Sequence, residues 1–298
     1  MKQLVTKRGT IRFPAYVPVT TYGNKYPLDN LIRPYLPRLA QAMMVSWHYA
    51  QQIDSEIPLP LFLDSGGFAC LFEGAKVEKQ GKVYVLKVPK SDNKSEFETI
   101  HPGEVLDLQE KIADVAFTLD FLIPPDLPAR QAETRRRRTI DNAIWAIQNR
   151  RRTDLKLYAC IQAWDAKSAK LTAREYANAG FDGVAIGGLV PRARDRELLK
   201  AIVTAVREEI PDLPLHCFGL GKPETVKSLF ELGIDSVDSS SYVKKAANGE
   251  SWQRNVPKQF TPATTSRLLI AINNLKYVNH FVAEVLAPIR SCNERSMK

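Results

Sequence analysis

The chain has 298 residues, of which 44% are hydrophobic, enough to bury a large core and to exclude a disordered or fibrous protein. Its formal net charge of +9 favours a polyanionic partner such as nucleic acid, because basic side chains that neutralise phosphates release bound counterions. No stretch approaches the roughly 20 apolar residues of a membrane span, and no apolar run follows the basic first residues. We therefore expect a cytoplasmic protein with no membrane partner.

Cysteine spacing bears on disulfides and metals. The four cysteines are far apart and form no C-x-x-C pair: Cys70, Cys160, Cys217 and Cys292. Neither a disulfide framework nor a zinc site is predicted from this spacing. We expect free thiols, no bound metal and no cofactor.

Eight short apolar runs, each followed by polar residues or glycine, organise the chain. In order they are PAYVPV, MMVSW, LFLDSGG, VAFTLD, LKLYACIQ, GVAIGG, LPLHCFGL and IDSVDSS. Amphipathic segments separate several of them, a pattern typical of parallel strands covered by helices. Eight such units favour a closed (β/α)8 TIM barrel, and a doubly wound open sheet is the alternative.

Local signals refine this α/β fold, which we predict to be a single domain over residues 1–298. Asp195 is placed to cap a helix over RELLKAIVTAVREEI, and Pro223 opens another that Gly233 ends. VEKQGKVYVLKV alternates apolar and polar residues and predicts an inserted β-hairpin. A long amphipathic segment from Thr264 to about Pro288 predicts a helix within a C-terminal extension of about 262–298.

The ends of the predicted strands carry the candidate chemistry. They are Asp64-Ser65-Gly66-Gly67-Phe68, Asp120, Gln162, Gly187-Gly188-Leu189, Phe218-Gly219-Leu220-Gly221 and Asp238. In a barrel these ends share one mouth, where enzymes of this fold keep their reactive groups. One aspartate alone is more often a helix cap, but three together favour catalysis. Paired carboxylates suit displacement at a sugar anomeric carbon, and hydrolysis of a carbohydrate is one such reaction, so the pattern alone does not choose the substrate.

These motifs resemble those of the tRNA-guanine transglycosylases. DSGGF, HPGEVLDLQEKIADVAFTLD, IQ, IGGLVP, HCFGLGKPETV and GIDSVDSSSY occur in that family's order, over roughly Arg8 to Gly249. The motifs GGLVP, HCFGLG and DSSSY are more similar to those of the archaeal branch of the family than to those of the bacterial branch. The resemblance implies a (β/α)8 barrel that exchanges guanine in a nucleic acid for a 7-deazaguanine base.

The resemblance also implies residue roles. Asp238 matches the nucleophile that attacks C1′ of the target guanosine, and Asp64 matches the general acid/base that takes the proton from the incoming base. Asp120 matches the carboxylate that reads the amino edge of the base, while Gln162 and the Gly188 amide match the groups that read its carbonyl.

The same resemblance implies the walls of the base pocket. Phe68 and Phe218 match the side chains that sandwich the base, and Ser65 lies beside Asp64. The remaining residues assigned to base binding are Gly187, Leu189 and Gly219.

The residues after the nucleophile depart from the family pattern. The tRNA enzymes have a zinc subdomain there with C-x-C-x-x-C and a later histidine, whereas Lys244 to Lys298 contains only Cys292 and His280. In this the chain resembles family members that modify DNA in phages and in bacterial DNA-modification clusters, placing 7-cyano-7-deazaguanine or a relative into DNA. We predict a DNA-guanine transglycosylase that can require an accessory protein. The alternatives are a tRNA enzyme without zinc and a non-catalytic nucleic-acid-binding subunit.

Several basic residues, one asparagine and one histidine also have predicted roles. Lys244 and Lys245 follow Asp238 closely and are expected, with Asn248 in a family turn, to contact the nucleic-acid backbone. Two arginine runs, 135–138 and 150–152, are expected near the solvated face of a helix, either as surface charge or as a phosphate-tracking patch. His216, in a buried strand, is expected to be a core histidine with satisfied hydrogen bonds.

Overall fold

The computed structural model describes residues 2–23, 25–53, 55–90, 95–253 and 263–295, with side chains of the last helix described for 264–284. Residue 262, residues 296–298 and the side chain of Cys292 therefore lie outside the described residues. The other three cysteines are buried free thiols, as predicted.

Eight parallel strands form the central sheet. In spatial order they are β3 (Ala15–Pro18), β13 (Ser236–Ser239), β12 (Leu215–Cys217), β11 (Gly183–Gly187), β10 (Lys156–Gln162), β9 (Val115–Phe117), β5 (Leu61–Asp64) and β4 (Met43–Ser46). The two end strands meet where the Thr20 amide donates to the Met44 carbonyl at 2.9 Å. The predicted (β/α)8 barrel is confirmed, with a strand inside each of the eight runs.

Helices cover the outside of the barrel. They are α1 (Pro27–Ile32), α2 (Leu36–Leu39), α3 (Trp47–Ala50), α4 (Pro102–Ile112), α5 (Ala129–Asn149), α6 (Ala166–Ala177), α7 (Arg196–Glu209), α8 (Pro223–Glu231), α9 (Ser241–Ala247) and α10 (Ala263–Arg295). Short 3-10 turns occupy Arg33–Tyr35, Gly67–Leu71 and Val190–Arg192. The predicted cap is present, because Asp195 accepts a hydrogen bond from the Leu198 amide at 3.0 Å.

An antiparallel hairpin closes the amino-terminal end of the barrel. Its strands, β1 (Gln3–Thr6) and β2 (Gly9–Arg12), were not predicted from the sequence. Ile11 and Phe13 are buried among the inward-facing side chains of the barrel. Arg8 fixes the hairpin through a 2.7 Å ion pair with the buried Asp114 carboxylate. The carboxyl end of the barrel is thereby left as the open end.

A small antiparallel sheet is inserted between β5 and β9. The predicted hairpin forms strands β6 (Lys76–Gln80) and β7 (Val83–Pro89), and a third strand that the sequence did not reveal, β8 (Phe97–Ile100), pairs with β7. Asn142 of α5 joins this sheet to the barrel, since its side chain accepts from the Tyr84 amide at 2.8 Å and donates to the Tyr84 carbonyl at 2.9 Å.

The predicted C-terminal helix is confirmed as α10, which is longer than expected. It packs on α8, α9 and β3. The buried Asn274 side chain donates to the carbonyls of Tyr242 and Glu250 at 3.1 and 3.2 Å. Across the described part of the chain, no helix is long and apolar enough to cross a membrane.

The arginine runs are partly on the surface, as expected, since Arg137 and Arg151 are exposed, and partly built into the fold. Arg136 is only 2% exposed and binds Glu133 at 2.7 Å. Arg138 donates to the Val77 carbonyl at 2.9 Å and stacks over the Tyr84 ring. Arg150, Arg151 and Arg152 likewise bind acidic side chains or main-chain carbonyls. These contacts use the guanidinium groups that a phosphate-tracking patch would need.

Candidate active site

The turn after β5 brings Asp64 and Ser65 to the barrel mouth. Gly66 has a positive φ of 80°, which glycine adopts without strain, and it turns the chain sharply. A side chain on Gly67 would overlap the Asp120 carboxylate, so glycine is needed there for close packing. Both glycines in DSGGF thus have a structural reason, and the turn places β5 against the end of β9.

Asp120 lies in a buried hydrogen-bond network with two of the predicted residues. It accepts from Ser65 Oγ at 3.2 Å and from Gln162 Nε2 at 2.5 Å. The other atom of this amide, Gln162 Oε1, is buried and has no hydrogen-bond partner among the described residues. Such an acceptor is costly to leave unpaired, so the network is complete only with a further donor.

The glycine turn after β11 approaches this network closely. A side chain on Gly187 would overlap Gln162 Nε2, and Gly188 has a positive φ of 73°. The buried Arg192 guanidinium donates to the Gly188 carbonyl at 2.8 Å and to the Ile123 carbonyl at 3.0 Å. The Leu189 side chain is fully buried in the core, so only its backbone can face the mouth.

Asp238 lies at the end of β13, and one of its oxygens is held from two sides. Oδ1 accepts from the Gly219 amide at 3.0 Å and lies 3.1 Å from His216 Nε2. The other ring nitrogen of His216 lies 2.8 Å from Ser236 Oγ. His216 is therefore buried and hydrogen-bonded, as predicted, but one of its partners is the candidate nucleophile.

The carboxylates influence one another electrostatically. Burial, followed by the negative charges of Asp120 and Asp238, raises the pKa of Asp64 to about 7. Burial raises the pKa of Asp120 to about 6, although its bonds from Gln162 and Ser65 oppose the shift. Asp64 is thus charged and neutral in similar amounts near neutral pH, as a group that both gives and takes a proton requires.

Aromatic side chains stand at two edges of the mouth. Phe68 is 60% exposed, and its only ring contact among the described residues is edge-on with Phe72, at 6.2 Å between centroids. Phe218 is half-buried and packs against Phe117 at 4.8 Å and His216 at 5.0 Å. Phe218 therefore has a fixed position, whereas Phe68 presents a largely free ring.

The predicted backbone-binding residues lie in and just after α9. Lys244 and Asn248 are exposed, and Lys245 is paired with Glu250. Lys244 is therefore the more available of the two lysines for a phosphate. No three His, Cys, Asp or Glu side chains in the described ranges lie together as a metal site needs.

Comparison with known proteins identifies the family. Residues 1–283 match the family described as TGT, queuine tRNA-ribosyltransferase. The chain belongs to this tRNA-guanine transglycosylase (TGT) family. Its members are pentosyltransferases that exchange bases, and they act on nucleic acid and a guanine-like base.

Individual TGT relatives are distant in sequence. The queuine tRNA-ribosyltransferase of Helicobacter pylori strain G27 is 29% identical over 191 residues, which is 62% of this chain and 50% of that protein. The enzyme of the same name from Pseudomonas putida is 26% identical over 269 residues, which is 81% of this chain and 68% of that protein. The chain thus spans about half the length of the Helicobacter relatives that it matches.

Three residues of the candidate site were not assigned to it by sequence reasoning. His216 and Ser236 hold the candidate nucleophile, and Arg192 holds the Gly188 turn. Strand alternation could have found the first two, because Ser236 and Asp238 face the same side of β13 and Ser236 is in register with His216. Nothing in the sequence distinguishes Arg192 from its exposed neighbours.

Proposed function

We propose that this TGT family member exchanges guanine in DNA for a 7-deazaguanine base, through a covalent intermediate on Asp238. The observation that carries the proposal is the trio of carboxylates at the barrel mouth, in which Asp64 feels the charges of both Asp120 and Asp238. One carboxylate is held by two hydrogen bonds, and the other two have raised pKa values. Such a division suits one nucleophile, one proton carrier and one group that reads the base.

The first half-reaction removes guanine. A carboxylate oxygen of Asp238 forms a bond to C1′, the C1′–N9 bond breaks, and the electron pair leaves with the purine. The departing base then takes a proton from Asp64, whose pKa of about 7 keeps a large protonated fraction at neutral pH. The product is a glycosyl ester on Asp238.

The second half-reaction reverses these steps with the new base. Asp64 takes the proton from N9 of the 7-deazaguanine, and N9 forms a bond to C1′. The bond from C1′ to the Asp238 oxygen breaks, and its electron pair returns to the carboxylate. Atoms and charge balance without a metal or a redox cofactor.

The hydrogen-bonding groups around Asp120 are complementary to guanine. Guanine offers donors at N1 and N2 and an acceptor at O6, which suit a carboxylate and a pair of N–H donors respectively. We assign the donors to the Gln162 amide and the Gly188 N–H, with Asp120 on the amino edge. Stacking on Phe68 and Phe218 would add about 1 to 3 kcal/mol per base. The target must leave its stack to reach this mouth, which implies base flipping or a single-stranded substrate.

Two features favour DNA as the substrate. The described residues after Asp238 include α9 and the 33-residue helix α10, and 244–298 contains one cysteine and one histidine instead of a C-x-C-x-x-C run. The motifs GGLVP and DSSSY resemble the archaeal branch more than the bacterial tRNA branch, and a basic, zinc-free chain with archaeal-like motifs resembles the members that modify DNA. The names of the relatives favour tRNA, so a tRNA enzyme without a zinc subdomain is the second candidate.

One assay separates the two substrates. The full chain is incubated with labelled 7-cyano-7-deazaguanine and either duplex DNA, single-stranded DNA or unmodified tRNA. We expect label in DNA. Label that enters only tRNA would overturn the DNA assignment while leaving base exchange intact.

A second assay separates an enzyme from a binding subunit. Wild-type protein is mixed with the accepted nucleic acid, denatured and examined for a covalent adduct. We expect the adduct with wild type and with Asp212→Ala, an exposed carboxylate far from the mouth, but not with Asp238→Ala. Nucleic-acid binding without an adduct or exchange in any sample would make the chain a non-catalytic accessory subunit.

A further inference from the structure

His216 is a fully buried polar side chain in direct contact with the candidate nucleophile. It is 0% exposed, and its Nε2 lies 3.1 Å from Asp238 Oδ1. Its Nδ1 lies 2.8 Å from Ser236 Oγ, which is also buried. Two hydrogen bonds thus connect Ser236, the His216 imidazole and the Asp238 carboxylate in series.

The chemistry of the carboxylate fixes the direction of these bonds. An ionised carboxylate only accepts hydrogen bonds, so Nε2 of His216 carries a proton and donates it to Oδ1. The Gly219 amide donates to the same oxygen at 3.0 Å. Among the described residues none donates to Oδ2, so the two oxygens of Asp238 are not equivalent.

Aromatic rings hold the imidazole in this orientation. Its centroid lies 5.8 Å from that of Phe62, 5.0 Å from that of Phe117 and 5.0 Å from that of Phe218. A close-packed ring cannot turn without displacing these neighbours. The same ring therefore touches Phe218, assigned to base stacking, and Asp238, assigned to attack.

We propose that His216, oriented by Ser236, is a positioning residue that makes Oδ2 of Asp238 the attacking atom and Oδ1 the oxygen that stores charge. This inference rests on the proposed base exchange. In the glycosyl ester, Oδ1 becomes the carbonyl oxygen, and the two donors draw electron density toward it. When C1′ is attacked by the new base, the C1′–Oδ2 bond breaks and the returning negative charge is shared with Oδ1. Donors that face a developing charge accelerate such a step.

The experiment compares variants that keep the ring volume with variants that keep the donor. His216→Phe keeps a ring but removes Nε2–H, whereas His216→Gln places an amide N–H near the same position. Phe62→Leu is the control, because it disturbs the packing around His216 without removing a hydrogen bond. Each protein is first loaded with the nucleic acid that wild type accepts, and discharge of the adduct by labelled 7-cyano-7-deazaguanine is timed.

We expect His216→Phe to slow discharge by about 100-fold with little change in KM, in line with the loss of one donor to a developing oxyanion. His216→Gln should recover at least about tenfold of this loss, and Phe62→Leu should lower Tm while discharge stays near the wild-type rate. Ser236→Ala should give a smaller loss, because the donor is kept but held less firmly. The proposal is wrong if His216→Phe discharges like wild type, or if the glutamine variant is no faster than the phenylalanine variant.

A measurement that needs no turnover tests the contact between His216 and Asp238 independently of the proposed function. In the imidazole ¹⁵N and ¹H NMR spectrum of wild type, we expect a proton bound to Nε2 of His216 whose signal moves in Asp238→Ala. A ring protonated only on Nδ1 would overturn the inference whether or not the protein exchanges bases. Absence of exchange in wild type, with the expected NMR signal present, would count against the proposed function and leave the positioning contact established.

Discussion

Replacement of Asp64 by asparagine tests the electrostatics of the mouth. Asparagine keeps the shape of the side chain but cannot ionise. In the folded protein the pKa of Asp64 is raised from its ordinary 3.8 to about 7 by burial and by the charges of Asp120 and Asp238. Ionisation of this group therefore opposes folding, and asparagine removes the opposition.

The sign and size of the effect follow from proton linkage. Because the folded pKa is the higher one, the stability that protonated Asp64 contributes is complete below about pH 4, is lost as the pH rises, and is fully lost above about pH 7. Between about pH 5.5 and about pH 8.5, stability is lost only up to the folded pKa of about 7. That part of the range is roughly 1.5 pH units, which corresponds to at most about 2 kcal/mol of unfolding free energy. Water reaches part of the Asp64 side chain, so we expect about 1 kcal/mol.

Urea unfolding at these two pH values measures the prediction. The free energy of unfolding of Asp64→Asn, minus that of wild type, should be larger at the higher pH by about 1 kcal/mol. Asp212→Asn, at an exposed carboxylate, should show no such change. A difference for Asp64→Asn that is equal at both pH values, or larger at the lower one, would refute a raised pKa for Asp64.

Three further variants test other parts of the site and fold. Phe68→Ala should raise KM for the nucleic acid about fivefold or more in the exchange assay, since about 1 to 3 kcal/mol of stacking is lost, while Leu171→Ala on the outer surface should not. Gly187→Ala should lower kcat/KM about tenfold with a Tm close to wild type, because the added methyl group displaces the amide that binds Asp120; unchanged kinetics would contradict the close approach. Arg136→Ala should lower the free energy of unfolding by about 2 to 3 kcal/mol, and Arg137→Ala, at the exposed neighbour, should lower it by about 0.5 kcal/mol or less. Equal losses in the two variants would mean that burial of Arg136 is unimportant.

The elements that the sequence predicted are those with a local signature. The eight apolar runs contain the eight barrel strands, Asp195 caps α7, and the amphipathic segment from Thr264 forms α10. Two kinds of element were missed. Strand β8 has only four residues, two of them polar, and the β1–β2 hairpin lies in a stretch that was considered only for its charge. Neither has a periodicity that stands out from a loop.

The residues of the candidate site fall into the same two groups, those that a local sequence pattern predicts and those that it does not. Asp64, Asp120, Gln162 and Asp238 could be placed at one mouth from their positions at strand ends, because parallel strands in a barrel share a carboxyl edge. The place of Arg192 could not be predicted, since it depends on the carbonyls of Ile123 and Gly188, which follow two different strands.

By itself the sequence determined the barrel, the order of its strands along the chain and the aspartates at their carboxyl ends, because periodicity, caps and turn residues act over a few neighbouring positions. Only the tertiary structure decided which oxygen of Asp238 is held, that His216 is the side chain that holds it, and that Asp64 is the carboxylate with a pKa near neutrality. Those properties arise from the register between β12 and β13 and from the charges that meet at the mouth. Distances between residues far apart in the chain set them, and no local pattern encodes such distances.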